Sequence, residues 1–208
     1  MKRKHKRQVS AIMNRLYAKG LTTTSGGNVS MRHKNLIFIT PSQTDKGNMK
    51  PGQIGILNIK GKNLTPKLKL SMETGMHLAI YKQRKNINAI VHAHPFTATT
   101  LTAREELINT RINGEARAML GQPGFAPYET MGTPQLAEAA AQAIEKSNAI
   151  ILQHHGILTV GENLLQAFDR LELMEMTARS CVLRKMLNID DCIDRENIAI
   201  IDKMFSEG

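Results

Sequence analysis

Two apolar runs set the terms on which this chain can fold. "AIVHAH" at 89–94 and "AIILQHHGILTV" at 149–160 have the length and branched content of buried strands, yet both carry histidine. In a strand, side chains at i and i+2 project from one face. His92 and His94 therefore share a side, a natural two-point grip for a metal ion. Alone, the pair reads as two histidines satisfied at a strand end, because imidazole is a common polar side chain. Pro95 stops the strand directly after them.

"QHHG" at 153–156 offers a third imidazole. His154 and His155 are adjacent, so in a strand they face opposite ways, and at most one can join the pair. Three neutral imidazoles with an open fourth position describe a catalytic zinc site. Spacing alone does not bring together residues about 60 positions apart. Glu73 is the candidate carboxylate, in the first turn of a helix expected over 72–84, where the dipole favours a negative charge. By itself it reads as an ordinary N-terminal Glu. His77, one turn later on the same face, reads as structural or as a partner that orients a ligand.

Three stretches could receive an anion. "TTTSGGNVS" at 22–30 could form a nest of backbone N–H groups, "TPSQT" at 40–44 follows a strand, and Ser71 precedes a helix as its expected N-cap. Each is by itself an ordinary turn or cap; only convergence would make them a phosphate site.

The remaining pattern is a framework for these residues. Val9, Ile12, Met13 and Leu16 have helical spacing, with Gly20 as the stop. Strands are expected at 35–40, 54–59 and 89–94, and at 149–160 as one strand or two joined near Gly156. Thr133-Pro134 opens an Ala-rich helix to about Lys146, a long amphipathic helix covers 162–187, and a final helix over 194–205 takes Asp194 as its cap. Irregular alternation of strands and helices predicts helix layers on a mixed sheet rather than repeated βαβ units.

Composition narrows the function classes. With 208 residues, 41% hydrophobic and no sign of a linker or repeat, the chain is expected to be one domain, 1–208. No run approaches the length of a membrane helix, and the basic start lacks the apolar stretch of a secretory signal. Cys181 and Cys192 are the only cysteines and make no disulfide framework, so a cytoplasmic setting is expected. Net charge is +10, half of it from Lys2, Arg3, Lys4, Lys6 and Arg7. That cluster reads as the solvated start of a helix rather than a nucleic-acid contact, since no Trp and few Tyr or Phe are available for stacking.

The order of "GGNVS", "ITPS", a Ser and Glu before a helix, "VHAHP", "APY" with "GT", and "QHHG" before a long helix resembles the class II sugar-phosphate aldolase and epimerase family. The resemblance runs from about residue 8 to 205. It implies an α/β fold of three layers, with a mixed, largely antiparallel sheet between helices. It implies zinc, or another divalent metal, held by His92, His94 and His155, with Glu73 as the acid–base residue. Gly27, Asn28, Ser42 and Ser71 fall on positions that hold the phosphate of a sugar substrate. Homotetramers with active sites at subunit interfaces are the implied assembly. The implied reaction cleaves the C3–C4 bond of a ketose 1-phosphate. The metal stabilises the resulting charge and Glu73 handles the proton at C3.

This chain departs from the resembling aldolases at several points. Met72 replaces a second Ser, Gln43 a Gly, and Asn113 a Tyr; no Tyr follows Tyr128. Those tyrosines act at the aldehyde end, so their loss favours an apolar aldehyde, as in 5-deoxyribulose or methylthioribulose 1-phosphate. Glu115 or Tyr128 could take over polar duty there, although Tyr128 reads better as a loop residue. Two alternatives remain on the same scaffold, epimerisation of a pentulose phosphate and dehydration of methylthioribulose 1-phosphate. The epimerases carry Asp in place of Glu73, which counts against the first. A basic metal-binding protein without catalysis is the reading from a different class.

Overall fold

Strands β1 (Asn28–His33), β2 (Leu36–Ile39), β3 (Gly55–Asn58), β4 (Ala89–Ala93), β5 (Gly124–Ala126), β6 (Ala149–Leu152) and β7 (Gly156–Gly161) form a sheet in the order β3-β2-β1-β4-β7-β6-β5. The structure is a computed structural model that describes residues 2–205; Met1 and 206–208, the extremes of the expected unit, lie outside the described residues. Every neighbouring pair is antiparallel except β5 with β6. The sheet is therefore mixed and largely antiparallel, as expected. Helices α1 (Lys2–Ala18), α2 (Thr74–Gln83), α3 (Phe96–Leu101), α4 (Gly114–Leu120), α5 (Pro134–Ala143), α6 (Leu164–Met186) and α7 (Arg195–Phe205) complete it.

The pleat sorts the core into two clusters. Val29, Phe38, Val91 and Ile157 pack with Val9 and Met13 of α1 and with Phe168, Leu171 and Met174 of α6. Ile37, Ile90, Ile150 and Leu158 pack with Met76, Ile80 and Tyr81 of α2 and with Leu136 and Ala140 of α5. Helices thus cover both faces. Strand β4 lies between β1 and β7, and all five of its residues are buried, which is why it reads as a continuous apolar run. Alternation gives Val91 to the α1/α6 side and Ile90 to the α2/α5 side. His92 follows Ile90 by two and so faces the layer that carries α2.

Several local expectations change. Ser71 does not cap α2; Glu73 occupies the capping position, with φ −89° and ψ 15°. Ser71 instead makes a turn ahead of the helix, its carbonyl accepting from Thr74 N and its hydroxyl from Glu73 N. The first half of 22–30 is a loop, but Asn28 begins β1. Its polar residues conceal it, and its strand geometry comes from pairing with β2 and β4. The 149–160 run is a hairpin, with 153–155 as the turn between β6 and β7. Helices α3 and α4 and strand β5 are too short to leave a periodic signal. Asp194 and Thr133 cap their helices as read, and Asn113 caps α4.

Candidate active site

Strand β4 delivers His92 at its end and His94 just beyond, and the β6–β7 turn delivers His155 against them. One ring nitrogen from each lies within 4.8 Å of the others. In that turn His154 takes φ +52° and faces solvent, which leaves His155 as the one that turns inward. Gly156 makes the approach possible, since a Cβ there would lie 2.6 Å from His94 Cδ2 and 2.7 Å from Ala93 O. Gly27 does the same from the other side: its φ is +67°, and a Cβ would meet His92 O at 2.7 Å.

The tautomer of His92 follows from its neighbour. Nδ1 lies 2.9 Å from Ile157 O, which only accepts, so Nδ1 carries the proton and Nε2 is bare. That bare Nε2 lies 3.1 Å from His94 Nε2 and 3.3 Å from Glu73 Oε2. His155 Nε2 is 3.2 Å from Glu73 Oε1, yet neither atom makes a hydrogen bond, and both are buried. Burial, first of all, pushes the imidazoles down: His92 well below its ordinary value and His94 to about 3. His155 also falls through burial, partly offset by Glu73. The histidines are therefore neutral and their contacts with Glu73 are not ion pairs. Three ring nitrogens and a carboxyl oxygen converge on one point, and two of these atoms, His155 Nε2 and Glu73 Oε1, are left without a hydrogen-bond partner. A cation satisfies all of them at once, so the donor set fits a metal ion.

Glu73 is itself held from behind. Asn28 Nδ2 donates to Glu73 Oε2 across 2.6 Å, and Asn28 Oδ1 lies 2.5 Å from His77 Nε2. His77 Nδ1 is 2.7 Å from Ser30 Oγ, which is 2.9 Å from the Tyr81 hydroxyl. His77 is fully buried and its pKa is pushed down to about 4, chiefly by burial. One donor direction satisfies the whole chain: Tyr81 to Ser30, Ser30 to His77, His77 to Asn28, Asn28 to Glu73. Burial also drives the Tyr81 phenol up, so it stays a donor.

These groups open onto a cavity of about 270 Å³. Gly27, Asn28, Ser42 and Ser71 line it together with Glu73, His94 and His155, so the dispersed candidates do converge. Asn28 differs from the rest because its side-chain amide is committed to His77 and Glu73. Ser42 Oγ accepts from Met72 N across 3.1 Å, tying the two limbs of the wall. Met72 and Met131 add apolar wall and are more than half exposed. Tyr128, Asn113 and Glu115 are not among the lining residues.

Sequence reasoning missed Lys46 and Met131, which also line the cavity, and the Ser30–Tyr81 support behind His77. A lysine in "TDKGN" carries the signal of a solvated loop, and nothing in one sequence marks it as buried. Ser30 could have been found only from its place on the same strand face as Asn28, once β1 was recognised.

The family described as "Class II Aldolase and Adducin N-terminal domain" matches residues 7–182. The L-fuculose phosphate aldolase of Methanococcus maripaludis is 35% identical over 168 residues, 81% of this chain and 90% of that protein. The 5-deoxy-D-ribulose 1-phosphate aldolase of Bacillus thuringiensis is 30% identical over 211 aligned positions, 97% of this chain and 95% of that protein. A solved L-fuculose 1-phosphate aldolase superposes with a TM-score of 0.88 at 32% identity, covering 97% of this chain and 96% of the other.

Proposed function

The chain belongs to the class II aldolase and adducin N-terminal domain family, and from that premise we propose that it is a zinc-dependent aldolase cleaving a ketose 1-phosphate to dihydroxyacetone phosphate and a small aldehyde. It is a lyase of the class II, metal-dependent type. The observation that carries the reading is the meeting of His92, His94, His155 and Glu73 at a cavity also lined by Gly27, Ser42 and Ser71.

In this reading the three imidazoles hold the metal. Nitrogen donors with an adjacent carboxyl suit zinc best, although other divalent ions can occupy such a set. The metal, when bound, stabilises the negative charge that C–C cleavage leaves on oxygen. Glu73 exchanges the proton at C3 of the triose phosphate, and the hydrogen bond from Asn28 leaves Oε1 as its free oxygen. Gly27, Asn28, Ser42 and Ser71 cradle the phosphate. The missing tyrosines, Asn113 standing where one would be and none following Tyr128, favour an apolar aldehyde end, as in 5-deoxyribulose or methylthioribulose 1-phosphate. The relative named for 5-deoxy-D-ribulose 1-phosphate supports the same choice.

The reading extends to a single 1–208 unit acting in the cytoplasm as a homotetramer, with active sites at subunit interfaces. Phe96, directly after the histidine segment, is 81% exposed, and Met176, Leu183 and Met186 of α6 are also exposed, an apolar surface that association would cover. No helix among the described residues is long and apolar enough to cross a membrane.

Zinc-loaded protein and a panel of ketose 1-phosphates test the proposal. Release of dihydroxyacetone phosphate, followed with a coupled reductase, is the expected result. Epimerised or dehydrated sugar without that triose would replace the aldolase reading with one of the other reactions named above. Tight DNA binding with a steep salt slope and no turnover would replace it with a non-catalytic one.

A further inference from the structure

Lys46 is a charged residue that has left water. Its relative exposure is 1%, and it forms part of the cavity wall beside Gly27, Ser42, Ser71 and His94. Its Nζ donates to Pro41 O across 2.5 Å. None of the ion pairs among the described residues includes it. An ammonium has three donors, and one carbonyl neither occupies them nor balances the charge. A buried cation in this state is costly unless a counter-charge completes it. Burial accordingly pulls its pKa down to about 8.

The position of Lys46 says where the counter-charge belongs. Its backbone N–H donates to Thr24 O across 2.9 Å, just before Gly26 and Gly27, while its amine holds Pro41, just before Ser42. It thus joins the two limbs that form one end of the cavity. Those limbs bring neutral donors, which give direction but no charge. We propose that Lys46 is the cationic phosphate ligand of this site, completing its own charge balance only when a phosphate dianion is bound. This rests on the reading of the cavity as a ketose 1-phosphate site and adds the residue that selects the charged end. Lys69 lines the same cavity but is exposed and bonded to Gln43 Oε1, so it carries no comparable need.

Three variants of the zinc-loaded protein separate charge from structure. K46Q removes the charge but keeps a donor for Pro41 O, K46M removes both, and K46R keeps the charge. With 5-deoxyribulose 1-phosphate as substrate, K46Q and K46M should raise KM by about 10- to 100-fold, with kcat changed by about threefold or less. K46R should recover most of the loss. Inorganic phosphate, titrated calorimetrically into each protein, should bind wild type and K46R and bind K46Q at least about 10-fold more weakly. Zinc content should be equal in all. An unchanged KM and phosphate affinity in folded K46Q would overturn the proposal, as would an equal loss in K46R. If wild type cleaves no sugar phosphate, the aldolase reading fails separately, and the phosphate titration still decides Lys46.

Discussion

Asn28 Nδ2 donates to Glu73 Oε2 across 2.6 Å, beside the cluster of His92, His94 and His155. The bond runs from a sheet residue to a residue at the start of α2, 45 positions apart. It leaves Oε1 as the oxygen facing His155. Asn28 cannot rotate freely, because His77, Ser30 and Tyr81 fix the direction of its amide. The acid–base candidate is thus aimed by Asn28 at the cavity wall, which is itself fixed by three residues that do not line the cavity.

Glu73→Gln should retain metal and lose turnover. Removing a positioned acid–base group costs about 100- to 10,000-fold in kcat. Elemental analysis and triose phosphate release measure the two effects, and an undiminished rate would dismiss Glu73 from that role.

Asn28→Ala should lower both stability and kcat. It strips the partner from His77 Nε2 and from Glu73 Oε2, both buried. Leaving such groups unsatisfied costs about 1–3 kcal/mol each. Urea unfolding should show the lower midpoint, and kcat should fall more than KM rises, because Glu73 loses its aim. A variant of wild-type stability and rate would mean that the chain behind Glu73 does not orient it.

His155→Ala removes one of three convergent nitrogens while His154 stays exposed in the turn. Metal affinity should fall by more than about 100-fold, since two imidazoles are left to hold the ion. His154→Ala should bind metal like wild type. Calorimetry on both variants distinguishes them, and equal affinities would remove His155 from the set.

Stability should fall in mild acid. Burial holds the folded pKa of His77 at about 4, below its ordinary 6.5. Between those values the unfolded chain binds a proton that the folded chain does not. The stabilising difference is intact above pH 6.5 and is lost as pH falls through the window, by about 3 kcal/mol for this group. His92 and His94 shift in the same direction in chelator-treated protein. Urea midpoints of that protein should drop steadily from pH 7 to pH 4.5; a flat profile would contradict a buried, neutral His77.

Much of this arrangement was legible in the chain. The i, i+2 spacing of His92 and His94 put both imidazoles on one face, and the order of the motifs pointed to the family and its sheet. Thr133-Pro134 and Asp194 announced two helix starts. The polar strand β1 was not legible, because Asn28, Ser30 and Arg32 make no apolar run and become a strand only by pairing with two neighbours.

What the sequence by itself determined was therefore the residue types and the faces within each element, because strand and helix periodicities are local. The tertiary structure decided which of two adjacent histidines turns inward, since that depends on the +52° φ of His154 in a turn. It decided that Glu73 rather than Ser71 takes the capping position of α2, and that a lysine in a polar loop is buried against Pro41. Those outcomes arise where segments tens of residues apart close on one another. The desolvation and hydrogen-bond accounting that chooses among side chains exists only after they have met.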